Sequence, residues 1–223
     1  RDQPRSRGLG DVYKRQGLSM AKTIITIGRQ FGSNGRNIGR KLAEKISANF
    51  YDKELINETA KESGLSEEFL KSLDEKPTRS FLYSLVSDPY SYGFTSAGYQ
   101  TNLNQQAFQA TYDTIKKLAD KGPSVFVGRC ADYALRHNTN LVRIFIHAPL
   151  EERIKNVSER FNLTPDKAKA QIVKEDKARA SYYNYYTSKK WGALESYDIF
   201  INSSLMSEDD TVDFIIDYID KIK

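Results

Sequence analysis

Between Ile24 and Gly39 the chain reads Ile-Ile-Thr-Ile-Gly-Arg-Gln-Phe-Gly-Ser-Asn-Gly-Arg-Asn-Ile-Gly. A β-branched run breaks into glycines at 28, 32 and 35, and a helical pattern follows at once. Glycines let consecutive backbone N–H groups turn toward one point, and a helix N-terminus adds about half a positive charge there. Arg36 at the lip supplies a full charge and a forked donor set suited to phosphate oxygens. Gly32, Ser33, Asn34, Gly35, Arg36 and Asn37 are therefore the candidate anion-binding residues. The common phosphate-loop spelling, G-x-x-x-x-G-K-[ST], is not met. Gln30 stands five residues before Gly35, Arg36 replaces the lysine, and Asn37 replaces the hydroxyl that would touch Mg²⁺. On these residues alone, a tight turn whose glycines serve packing is the competing reading.

Other charged residues have a functional and an ordinary reading side by side. Arg129 follows a buried strand pattern and could grip a phosphate, or could pair with Asp132. Asp176 and Arg179 lie three apart on one helical face, which also describes an ion pair worth a few tenths of a kcal/mol. Arg153, in Glu151-Glu152-Arg153, matches ordinary helix surface, and Asp52 can be explained as a helix N-cap. Ser33 is a substitute candidate for the missing Mg²⁺ hydroxyl. Tyr182, Tyr183, Tyr185, Tyr186 and Trp191 read as packing groups. His137 and His147 have no second ligand nearby in sequence, so no metal site is expected from protein side chains.

These residues need elements to carry them. Residues 22–27 form the first expected strand, followed by a helix over 36–48 with Ile38, Leu42 and Ile46 on one side. Phe50-Tyr51 reads as a short strand, and a helix from Asp52 runs to a stop at Gly64. Ser66 opens a short helix to Leu73. Lys76 to Thr101 shows no periodicity, and its four tyrosines and two phenylalanines suit a functional loop better than a solvated linker. A helix over 102–121 ends at Gly122-Pro123, and Ser124–Val127 and Leu141–His147 read as buried strands. Pro149 and Pro165 start two further helices, 197–202 is a last strand, and Ser207 caps a closing helix with Val212, Ile215, Ile216, Ile219 and Ile222 inside. Strands alternating with helices imply an α/β fold with a mostly parallel sheet and helices on both faces. Ligands then bind beyond the carboxyl ends of the strands, which selects the loops at 28–35, 128–132 and 147–149.

Composition narrows the class. Asp11-Val12-Tyr13-Lys14-Arg15-Gln16 resembles the in-frame translation of a sequencing adapter, so residues 1–19 are read as an assembly artefact, outside the fold and not a targeting peptide. They carry five basic and two acidic residues, so the net charge of +5 falls to +2 over residues 20–223, too little to argue for nucleic acid. That remainder suits one domain of about 200 residues. Apolar runs are too short to span a membrane. One cysteine, Cys130, excludes an internal disulfide, and a cytoplasmic protein is expected.

Taken in order, several blocks resemble the cytidylate kinase-like family of P-loop nucleoside monophosphate kinases. They are Ile27–Gly39, Phe50-Tyr51-Asp52-Lys53-Glu54-Leu55-Ile56, Val127-Gly128-Arg129-Cys130-Ala131-Asp132-Tyr133, Glu151-Glu152-Arg153, Asp176-Lys177-Ala178-Arg179 and Tyr197–Asn202. The resemblance implies a five-stranded parallel core, an acceptor-binding insert at about 57–101 and a helical lid near 153–179. It further implies ATP and Mg²⁺, with transfer of a phosphoryl group to CMP or dCMP. Arg36 would then stand in the position of the P-loop lysine, and Arg129 would hold the acceptor phosphate. Arg153 would enter from the lid, Asp176 would meet the acceptor nucleotide or its sugar, and Arg179 the transferring phosphate. The metal would be held by phosphates and water. Three functions stay open: a CMP/dCMP kinase, a P-loop kinase for another small acceptor, and a nucleotide-binding regulatory protein without turnover. The oligomeric state is not legible.

Overall fold

The computed structural model describes residues 22–73 and 96–222. Residues 1–21, 74–95 and 223 lie outside them, and with them the expected artefact at 1–19 and the aromatic-rich stretch up to residue 95.

Five strands form one sheet: β1 (Ile24–Arg29), β2 (Asn49–Tyr51), β3 (Ser124–Val127), β4 (Leu141–His147) and β5 (Ile199–Asn202). Their order is β2-β3-β1-β4-β5, and every neighbouring pair is parallel. β1 is central, with Ile27 opposite both Val127 and Ile144.

Period-two alternation sends side chains into two layers. Ile25, Ile27, Val125, Val127, Val142, Ile144 and Ile146 pack against Ile38 and Leu42 of α1 (Gly35–Lys45) and Val212, Ile215 and Ile219 of α8 (Glu208–Ile222). On the opposite face Ile24 and Phe126 meet Leu55 of α2 (Glu54–Ser63) and Ile115 and Leu118 of α4 (Ser96–Ala119). The helices on both sides explain why β1 and β3 read as continuous apolar runs.

Two satellite clusters flank this core. Ile56 of α2, Leu70 of α3 (Glu67–Leu73) and Ala107 of α4 form one. Val157 of α6 (Leu150–Phe161) and Ala168 and Ile172 of α7 (Pro165–Thr187) form the other, with Phe31 packed against them. The short α5 (Ala131–Ala134) follows β3.

Several expectations shift. α1 ends at Lys45, with Ser47 in a left-handed conformation beyond it. α4 begins at Ser96, inside the stretch expected to lack periodicity, because its first turns carry no amphipathic signal. Ser207 caps α8 as expected, its Oγ accepting from Asp210 N–H at 3.1 Å. Ile222 is half exposed, past the last turn that touches the sheet. Tyr186 stacks on Phe108 of α4 at 4.0 Å, and Trp191 meets Phe145 edge-on, so the aromatic groups are packing groups.

Candidate active site

Beyond the carboxyl ends of β1 and β3 lies a cavity of about 450 Å³. The glycine-bearing loop forms one wall through Phe31, Gly32, Asn34 and Gly35, and the start of α1 adds Arg36. Arg129 enters from the turn after β3, Arg179 from α7, and Asn156 and Arg160 from α6. Arg29, Lys53, Lys71, Asp52 and Glu175 are also in the lining. Seven basic against two acidic side chains give the cavity a strongly positive lining, which favours anions.

The loop is held from behind. Gln30 N–H donates to Ile146 O at 3.0 Å, continuing the sheet beyond β1. Asn34 has φ 58°, which turns the chain into α1. Gly32 has φ 83°, and a Cβ there would stand 2.9 Å from both the Arg153 carbonyl and Val157 Cγ2. Only glycine lets the loop lie this close to α6.

The α6–α7 hairpin clasps the same loop. Asp176 Oδ1 accepts from Phe31 N–H at 2.7 Å, and Arg153 Nη1 donates to Asp176 Oδ2 at 2.6 Å. Asn156 Nδ2 donates to Gly32 O at 2.9 Å and Arg179 Nη1 to Arg29 O at 3.2 Å. Arg179 also lies over the Phe31 ring, 5.4 Å from its centre. Asp176 and Arg179 therefore do not form the i,i+3 pair that their spacing allowed. Arg153 and Asp176 are not among the residues lining the cavity; they fasten the loop to the hairpin.

Asp52, at the end of β2, joins two arginines. Its Oδ2 accepts from Arg36 Nε and its Oδ1 from Arg129 Nη1, the latter at 3.0 Å. Asp52 is thus not a side-chain N-cap: α2 has none, and the carboxylate points toward the cavity. Burial alone would raise its pKa, but Arg129, Arg36 and Arg29 together hold it below the usual carboxylate range. The pairing of Arg129 with Asp132 is likewise not formed. Asp132 instead accepts from Tyr183 Oη at 2.7 Å, and burial pushes its carboxyl upward.

The turn carrying Arg129 is unusual. Gly128, Arg129 and Cys130 have φ of 76°, 54° and 56°, three left-handed residues in succession. Each non-glycine residue held so costs of order 1–2 kcal/mol, and such conformations cluster at functional sites.

Of the candidate anion-binding residues, Gly32, Asn34, Gly35 and Arg36 line the cavity; Ser33 and Asn37 do not. Ser33 is fully buried, its Oγ within 2.9 Å of Gln30 O and 3.2 Å of Ile146 O. Asn37 Nδ2 faces Glu208 of α8 at 3.4 Å. Ser33 is thus no substitute ligand for Mg²⁺, because its hydroxyl turns into the sheet. Among the described residues no three His, Cys, Asp or Glu side chains gather as metal ligands. Among the described residues the side chains do not fit a protein-held Mg²⁺, while the basic lining of the cavity suits an anionic group.

Of the seven basic lining residues, Arg29, Lys53, Lys71 and Arg160 were not among the candidates read from sequence. Arg29 ends β1 as Arg129 follows β3, so the same strand-end reasoning finds it. Lys71 and Arg160 sit on helices with no local signal beyond their charge.

Two cytidylate kinases each match 89% of this chain at 24% identity: one from Methanopyrus kandleri over 94% of its own length, one from Staphylothermus marinus over 97%. The crystal structure of an uncharacterized protein from Eubacterium ventriosum ATCC 27560 is 31% identical, with TM-score 0.66 over 89% of this chain and 98% of that one. A shikimate kinase from Acinetobacter baumannii, 13% identical with TM-score 0.50 over 94% of this chain and 98% of its own, shares the fold. A family model matches residues 24–205, from the first strand through the last, and the chain belongs to the cytidylate kinase-like family.

Proposed function

We propose that this phosphotransferase moves the γ-phosphoryl group of ATP to CMP or dCMP. A phosphate oxygen of the acceptor bonds to the γ-phosphorus as the bond to the β–γ bridging oxygen breaks, and ADP leaves. Such transfer asks little covalent chemistry of the protein; it asks for alignment and charge neutralisation on the non-bridging oxygens. The observation that carries the reading is the convergence of Arg36, Arg129 and Arg179, from three distant segments, on one cavity beside the glycine loop.

In this reading the loop amides of Gly32, Asn34, Gly35 and Arg36, at the α1 N-terminus, hold the donor phosphates, and the Arg36 guanidinium neutralises them. Arg129 grips the acceptor phosphate. Arg179 reaches the transferring group from the helical lid at 153–179, whose docking on the loop excludes water. Arg153 and Asp176 fix that lid to Phe31. Lys71 on α3 stands on the acceptor side of the cavity. The acceptor assignment is supported by the names of the Methanopyrus and Staphylothermus relatives.

A second reading, nucleotide binding without turnover, is favoured by one observation: the loop offers neither a lysine nor an outward hydroxyl. ADP release, measured with ATP, Mg²⁺ and a panel of CMP, dCMP, UMP and AMP, separates the readings. CMP and dCMP are expected to turn over fastest. Turnover led by UMP or AMP would reassign the acceptor, and ATP binding without ADP release would remove the enzyme reading.

A further inference from the structure

One carboxylate, two guanidinium groups and a strained turn meet at a single point of the cavity wall. Asp52 is almost fully buried, and each of its oxygens accepts from a different segment: Arg36 at the start of α1, and Arg129 after β3 at 3.0 Å. Arg129 rides on three successive left-handed residues, and its Nη1 also donates to Val127 O at 3.2 Å. A guanidinium on such a turn is aimed by the groups that grip it.

We propose that Asp52 is a positioning residue whose carboxylate yokes Arg36 to Arg129, and so sets the spacing between the donor's and the acceptor's phosphate groups. The proposal rests on the kinase reading above, through the assignment of Arg36 to the donor and Arg129 to the acceptor. Asp52 lines the cavity, so direct action on the acceptor, for instance as a proton acceptor, is the rival account. Two features argue against it. Both oxygens already face cations, and the same cations keep the carboxyl ionised, which makes it a weak base.

The test combines Asp52→Asn with Arg36→Ala and Arg129→Ala, singly and paired, measuring kcat and KM with the best acceptor and ATP affinity by calorimetry. Asp52→Asn alone is expected to lower kcat by about 10–100-fold, the effect of an ångström-scale misplacement. ATP affinity should hold or tighten, because a negative charge leaves a cluster of arginines. In the Arg129→Ala background the same substitution should lower kcat by less than about threefold more, since residues acting as a unit are non-additive. Additive losses would overturn the proposal in favour of direct action. ATP affinity falling in step with kcat would overturn it in favour of plain structural support.

Asp52→Glu keeps the charge with one more methylene and carries the test if the amide variant does not fold. A lower kcat at unchanged ATP affinity supports the yoke, and wild-type kcat overturns it. Should the wild-type protein turn over no acceptor, the kinase reading fails by itself. The yoke is then judged on ATP affinity alone: coupling above about threefold between Asp52→Asn and Arg36→Ala supports it, and additivity overturns it.

Discussion

A positive side chain in the first turn of a helix opposes the helix dipole by a few tenths of a kcal/mol. α1 nonetheless begins with Gly35-Arg36 and has no acidic residue in its first turn. Arg36 is compensated across the cavity, by Asp52, and the same carboxylate compensates Arg129. This local arrangement has a pH signature. The folded pKa of Asp52 lies below its unfolded value of about 3.9, so its contribution is complete above that value and is lost as pH falls through the lower folded one. Urea unfolding of wild type and Asp52→Asn should therefore show a stability gap at neutral pH that narrows progressively below about pH 4. A gap independent of pH from 7 to 2 would show that the ionised carboxylate is not what stabilises the site.

At the scale of elements, the loop and the α6–α7 hairpin behave as one unit. Gly32 is a position where the loop leaves no room for a side chain against α6. Gly32→Ala places a methyl against the Arg153 carbonyl and Val157 at a backbone angle that alanine resists. A loss of about 1–3 kcal/mol in unfolding free energy is expected, with weakened ATP binding. Wild-type stability and ATP affinity would mean that the loop does not rest on α6.

Much of this was legible beforehand. Ile24–Ile27, Ser124–Val127 and Leu141–His147 are strands buried on both faces, and burial on both faces leaves a plain apolar signature. The parallel topology then brought the loops at 28–35 and 128–132 to one edge. What sequence missed were contacts made across the fold. Asp52 looked like an N-cap because local spacing cannot show that two distant arginines claim its oxygens. Ser33 looked like a metal ligand because nothing in its neighbours tells that the hydroxyl turns inward to Ile146 O. The first turns of α4 were hidden in a polar, aromatic-rich segment with no apolar stripe.

For the whole molecule, the distribution of charge matters more than its total. A net charge of +5 over the full sequence is modest, but seven basic side chains gather around one cavity. Among the described residues no helix is long and apolar enough to cross a membrane. Raising salt shortens the screening length from about 10 Å at 0.1 M to about 3 Å at 1 M. ATP affinity measured by calorimetry should fall by on the order of tenfold across that range. Salt-independent binding would place the phosphates away from the arginines.

The central claim is that guanidinium groups from three separate segments act together, Arg36 on the donor's phosphates, Arg129 on the acceptor's and Arg179 on the group transferred between them. It is tested most directly by kcat for Arg36→Ala, Arg129→Ala and Arg179→Ala, each alone and all combined, with ATP and the best acceptor. Each single substitution is expected to lower kcat by about 10²–10³-fold, the loss typical of one preorganised charge-stabilising donor, and the triple variant by far less than the product of the three. Single variants that each keep kcat within about threefold of wild type would contradict the account.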